Sequence, residues 1–583
     1  MIQTTEAKDH LLNKVSEEHL MTFTKEISKE VRLSGSEEEK RSFEYAERTL
    51  REFGFQTQLF YRKALISLPI QSDLTVNGNQ FSSITHSMAT STGESGLAAE
   101  LVYVGDENYQ DDISYTGKAV LIDGLATPAA VIKAQSKGAA ATVFITADYT
   151  HEMIVSAVWG NPSMEDAENY PTIPVASVTY RNGQEIKALL TSSASSELQL
   201  KTEVLKEWRD IPTLIADYTF NPNSKDFLLF SGHIDSWHYG VMDNGSANAT
   251  MLEVARVVSE NKPEFQRNLR LAFWSGHSHG RYAGSTLYVD ENYEELYDHC
   301  LLHLNIDSVG GIHSTVLTEG NTMAETKNLI GESINLVSED QFEGSRFGRS
   351  GDQSFWGAGI PSALMGLSEQ APVDTPAMRA FSKLFGSGKG GGFGWWWHTT
   401  EDTIDKIDPQ LLKRDCKIYL SIIFDFCSAD LIPVQQSKAV EEITKVLKGY
   451  QAEFEFKGML DTAFERLQTL NDTVKLIERY ASDDKIVEQY KDEINGWNKT
   501  MSKSLVPINY VDKDVFGHDP ALGQPPVPSI GKVIKKENLS KYDSNVIYTT
   551  LKRRINKMNF TLRELNQISS QLNHLLGSEA SNE

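Results

Sequence analysis

The chain has 583 residues, 40% hydrophobic and 23% charged, the composition of a globular protein with ample core and a length suited to three or four domains. With 56 Lys and Arg against 80 Asp and Glu, its formal charge of −24 argues against nucleic acid, whose binding leans on basic contacts to phosphate, and against an anionic membrane surface. Three cysteines are too few for a disulfide framework, no stretch approaches the ~18 apolar residues of a membrane span, and the N-terminal segment has no apolar signal region, so a soluble cytoplasmic protein is expected.

Residues 9–55 read as helical, with an N-cap at Ser34 or Ser36, apolar Phe43, Ala46, Leu50 and Phe53 at helical spacing, and Gly54 as a stop. The strand-like segments QTQLFYRK and SDLTVNG follow. From 80 to 205 come short strands with Gly-rich turns, such as AAELVYVG, GKAVLIDG and ATVFITA, and a few helices, among them PAAVIKAQSKGA.

From 206 to 430 strands and helices alternate, the pattern of an α/β domain. Phe227–Phe230 is a short continuous apolar run, as a doubly buried strand should be, and His233-Ile234-Asp235 lies at its carboxyl end. Asp243 follows in a Gly/Asn-rich turn, and then a helix carries Met251, Leu252, Val254, Ala255, Val257 and Val258. A second strand, Leu269–Trp274, ends in Gly276-His277-Ser278-His279-Gly280, and a third, Leu301–Ile306, ends at Asp307. Phe385 to Gly394 is a Gly-rich loop running into Trp395-Trp396-Trp397-His398. From 431 to 583 the pattern is helical, with one or two long helices over 437–481, a Pro-rich loop over 505–531 and a closing helix.

His233, Asp243, Asp307 and His398 all lie at strand ends or in loops beside them, where open α/β sheets bind ligands. Two imidazoles and two carboxylates suit zinc, or manganese or cobalt in its place. Asp235, two residues beyond His233, is placed to hold that imidazole in one tautomer. His303 reads as structural.

The His-x-Asp after a strand, the Asp-Asn-Gly turn leading into a helix, Asn305-Ile306-Asp307 and Trp397-His398-Thr399-Thr400-Glu401-Asp402 resemble the co-catalytic zinc aminopeptidases. The segment Gly117–Ile122 with its Ala-rich helix resembles a protease-associated domain, and the whole order resembles glutamate carboxypeptidase II and transferrin receptor relatives. The resemblance implies a mixed α/β sheet flanked by helices over 1–79 and 206–430, a β-rich protease-associated insert over 80–205, and a helical dimerisation domain over 431–583. It implies one or two divalent metals, most naturally zinc. His233, Asp243 and Asp307 would hold one, Asp243 and His398 would hold the other with Asp243 as the bridge, and Asp235 would support them.

In the family a Glu-Glu pair follows the second strand, the first acting as general base and the second as metal ligand. This chain has His277 and Ser278 there. Three readings stay open. His277 acts as base or ligand, with His279 joining it if the loop is extended; or one metal at His233, Asp243 and Asp307 does the work; or the chain is a catalytically inactive binding or scaffold protein. Taken as an enzyme, it is a metal-dependent hydrolase of peptides or a related small amide and a homodimer through its C-terminal helices. Arg281, Arg346, Arg349 and Arg379 are candidates for a substrate carboxylate, and the three tryptophans for an apolar wall, at least one of them being core.

Overall fold

The computed structural model describes residues 2–106, 113–193, 196–338, 341–371, 392–453, 458–534 and 544–580. The Gly-rich segment from 385 to 391 and Arg379 lie outside these residues.

Three helices, Ile2–Leu12, Glu17–Ile27 and Glu37–Glu52, open the chain. Ser36 caps the third, its hydroxyl accepting from the Glu39 amide at 3.1 Å, and Gly54, at φ 85°, turns the chain into the first strand. Phe43, Ala46 and Leu50 are fully buried beneath it.

In the main sheet Phe227–His233 runs parallel to Asn268–Trp274 on one side and to Cys300–Asn305 on the other, with Ser362–Ala363 beyond. Its residues are buried throughout, because both faces are covered. Leu228 and Phe230 pack with helices Ala247–Asn261 and Pro409–Ser428, while Phe227 and Leu229 pack with Trp274, Tyr288 and Phe355 on the opposite face. The three parallel strands therefore end together, and the loops after them meet at one place.

A long antiparallel pair, Gln56–Val76 with Glu197–Tyr218, ties this sheet to a second group of strands. One end of Glu197–Tyr218 pairs with Asn268–Trp274, and the other pairs with Leu97–Asp106. Beyond it lie Ala119–Asp123, Ala141–Ile145 and Val175–Val178, all parallel, with helices Pro128–Ser136 and Tyr180–Ser192. Thr127 caps the first helix through the Ala130 amide, with Pro128 at its first position. Residue 205, the expected end of the insert, falls inside Glu197–Tyr218, so a continuous ladder joins the two regions.

The C-terminal region holds helices Gln436–Ala452, Asp461–Tyr480, Asp484–Tyr510 and Ser544–Ala580 around a core of their own. Contrary to the expected loop from 505, the third of these runs on through Pro507 to Tyr510. A proline so near the helix end forfeits one hydrogen bond. Burial of Val506 and Tyr510 with Phe347 and Trp356 outweighs that loss.

Candidate metal centre

His233 closes its strand, Asp307 stands two residues past the end of the next, and Asp243 projects from the turn that starts helix Ala247–Asn261. His233 Nε2 lies 3.2 Å from Asp243 Oδ1 and 3.7 Å from Asp307 Oδ1, and His398 Nε2 lies 3.0 Å from Asp243 Oδ2. The two oxygens of Asp243 thus face different imidazoles, as in a bridging carboxylate. His277 stacks on His233, ring centroids 3.7 Å apart and planes 10° apart. Ligand-capable atoms of His233, His277 and Asp307 all lie within 4.8 Å of one another.

Each of the three imidazoles is tied at Nδ1. His233 meets the carbonyl of Asp235 at 2.8 Å, His398 the carbonyl of Glu152 at 2.6 Å, and His277 the carboxylate of Asp352 at 2.8 Å. A carbonyl can only accept, so Nδ1 of His233 and His398 carries a proton, and Nε2 is the nitrogen each ring turns toward the acids. His233 Nε2 is buried and makes no hydrogen bond of good geometry, although two carboxylates stand before it. An orphaned nitrogen facing acids is what a divalent cation would complete, and imidazole with carboxylate is a donor set of the zinc class.

The charges point the same way. Burial alone would lower the His233 pKa, but Asp235, Asp243 and Asp307 raise it well above the usual range. Burial alone would raise Asp243, but His233 and His398 hold it well below the ordinary carboxylate. A proton shared among these groups is what a cation would displace.

Buried groups fix the loops. Asp402 accepts from the amides of Met242 at 2.8 Å and Asp243 at 3.0 Å, and burial pushes its own pKa up to about 7. Arg32 donates to the carbonyls of Ile234, Tyr239 and Gly240. Asp235 accepts from the Ser278 amide at 2.8 Å and the Ser34 hydroxyl at 2.6 Å, so it joins the loops after two strands.

Of the expected residues, His233, Asp243, Asp307, His398 and His277 converge, and Asp235 supports them from behind His233. His279 is a correction. It is fully buried, 2.9 Å from Ser34 Oγ and packed on Trp237, and burial lowers its pKa to about 3. The expectation that it shares a face with His277 requires an extended loop. Residues 275–282 instead form bends and turns with positive φ at Gly276, Arg281 and Tyr282, and His279 packs on Trp237 while His277 stacks on His233. His303 bonds Ser231 at 2.8 Å inside the sheet.

Asp352 and Glu152 had no predicted role. Asp352 is fully buried, and its only sequence signal is a Gly-Asp pair in the glycine-punctuated stretch from 344 to 366. Glu152 has no local signal. Its amide donates to the carbonyl of His398, so the two backbones clamp each other, and burial raises its carboxyl to about 8.

The cluster opens into a cavity of ≈ 830 Å³ that is also lined by Leu125, Pro128 and Phe144 and by residues 521–524. Trp397 stacks on His398 at 3.4 Å, Trp396 is core and Trp395 is exposed. The cavity arginines are engaged: Arg281 with the carbonyls of Ile154 and Ser156, Arg346 with Glu442 and Asn509, Arg349 with the carbonyls of Gln353 and Asp519.

A parallel sheet whose strand ends gather histidines and aspartates around a cavity is an α/β arrangement able to hold a divalent metal. Residues 214–423 match the model of Peptidase family M28. The chain is 25% identical to the aminopeptidase YwaD of Bacillus subtilis over 370 residues, 61% of this chain and 71% of that one. It is 28% identical to leupeptin-inactivating enzyme 1 of Streptomyces exfoliatus over 229 residues, 38% of this chain and only half of that enzyme's length. The fold is shared with an aminopeptidase from Aneurinibacillus sp. strain AM-1, with a TM-score of 0.54 at 21% identity, covering 72% of this chain and 96% of that one.

Proposed function

We propose that the protein is a metal-dependent hydrolase of peptide bonds, acting on short peptides within the cavity, with zinc as its metal. The carrying observation is the convergence of His233, His277 and Asp307, with one oxygen of Asp243 beside His233 and the other beside His398. A divalent ion held there would polarise the scissile carbonyl and lower the pKa of water. The chain's own groups hold the tautomers, exclude bulk solvent at a buried site, and orient Asp243 through Asp402. His277 stands where the family has its base and serves as a ligand. The side of Asp243 facing His398 has Ser278 where a carboxylate ligand would be, so one metal is bound tightly and a second weakly.

The similarity to YwaD supports a peptide substrate. The region 80–205 as a protease-associated domain and the C-terminal helices as a dimer contact are part of this proposal, supported by the sequence resemblance. A reducing compartment, the cytoplasm, is supported by three free, buried cysteines. Among the described residues no helix is long and apolar enough to cross a membrane.

The test is turnover of a dipeptide panel with free or blocked amines by zinc-loaded protein, beside His233→Ala. Zinc-dependent turnover lost in His233→Ala is expected. Turnover that survives His233→Ala, or none on any peptide, contradicts the proposal.

A further inference from the structure

We propose that Asp352 is the positioning residue that makes His277 a metal ligand, in place of the carboxylate chemistry the family has at this loop. The inference rests on the reading above that a divalent ion occupies the site. Asp352 is fully buried, and Oδ2 lies 2.8 Å from His277 Nδ1 while Oδ1 accepts from Ser285 Oγ at 2.8 Å. Ser285 in turn meets Ser354, which accepts from the indole of Trp159. Among the described residues His277 is the one basic side chain in ion-pair reach of Asp352. A carboxylate out of water needs such a partner, and one held by a serine relay has little freedom to turn away.

Both ends of the dyad are fixed. Gly351, the residue before Asp352, sits at φ 68°, where a side chain would be strained and its Cβ would meet Met365 Sδ at 2.5 Å. His277 is flanked by His233 on one face and by Tyr282 edge-on at 4.8 Å. With Nδ1–H given to Asp352, the lone pair of His277 resides on Nε2, the nitrogen remaining for the cluster with His233 and Asp307. An acid–imidazole–metal relay of this kind orients the ring and raises its basicity.

The experiment is zinc affinity by competition with a chromophoric chelator, in the full chain and in Asp352→Ala, Asp352→Asn, Asp352→Glu and Ser285→Ala. It is paired with long-range ¹H–¹⁵N spectra of histidine-labelled, zinc-loaded protein. Wild-type His277 should report a proton on Nδ1 and a metal on Nε2. Asp352→Ala should weaken zinc about 10- to 100-fold and lose that pattern. Asp352→Glu should recover part of the affinity, and Ser285→Ala should cost less than Asp352→Ala. Melting of the metal-free variants checks folding, and Asp352→Asn, the closest isostere, stands in if the alanine variant does not fold. Unchanged affinity in these variants overturns the proposal, as does weaker affinity with the His277 pattern intact. Wild-type protein that binds no zinc removes the metal reading itself, and the proposal with it.

Discussion

The two sides of Asp243 are unequally furnished. Toward Oδ1 stand His233, with Asp307 and His277 close by, and behind them Asp235 and Asp352 hold the rings. Toward Oδ2 stands His398, clamped by the backbone of Glu152, and the loop that would supply a carboxylate carries Ser278. On the proposed reading, His277-Ser278 in one loop takes a ligand from one side and adds an imidazole to the other. The bridging carboxylate keeps both sides legible. The difference teaches that candidate ligands have to be taken side by side, since His277 stacks on His233 and stands with His233 and Asp307.

The hardest test of the comparison is Asp243→Ala. Asp243 serves both sides, so zinc content should fall below one per chain and turnover to background; retention of one tight zinc would show that it is not shared. Next, His277→Ala and His398→Ala should part company. Elemental analysis should show the tightly held zinc lost in the first and kept in the second. Equal losses in both would erase the asymmetry. Ser278→Glu should sharpen it: Ser278 lines the cavity, and a carboxylate there should raise zinc content toward two per chain in the same assay.

The smallest effect concerns Glu152 on the His398 side. Burial raises its carboxyl from 4.5 to about 8, so the metal-free native state holds a proton that the unfolded chain releases. Its contribution to stability is present below pH 4.5 and is lost as pH rises toward about 8. Glu152→Gln should flatten that part of the stability profile in denaturant titrations. An unchanged slope would mean the carboxyl ionises freely in place.

Much of this architecture was legible in the chain. Phe227–Phe230 announces a doubly buried strand because both sheet faces are covered, and the polar residues directly after three strands fall where a parallel sheet brings its ends together. Asp235 was legible from its place two residues past His233, but the other groups that hold the rings were not. Asp352 meets His277 across 75 residues of sequence, too far for spacing to show, and Glu152 holds His398 through its backbone, where side-chain identity carries no signal. His279 was misplaced because alternation holds only in extended chain, and the loop it occupies is a turn. Pro507 marks a loop by local preference, and tertiary burial of Val506 and Tyr510 overrides it.

The most direct test is anomalous diffraction at the zinc edge from crystals grown with stoichiometric zinc. One dominant peak within bonding distance of His233, Asp307 and His277, with Asp243 at its edge, is the predicted result. A dominant peak at His398, with His277 unliganded, would contradict it.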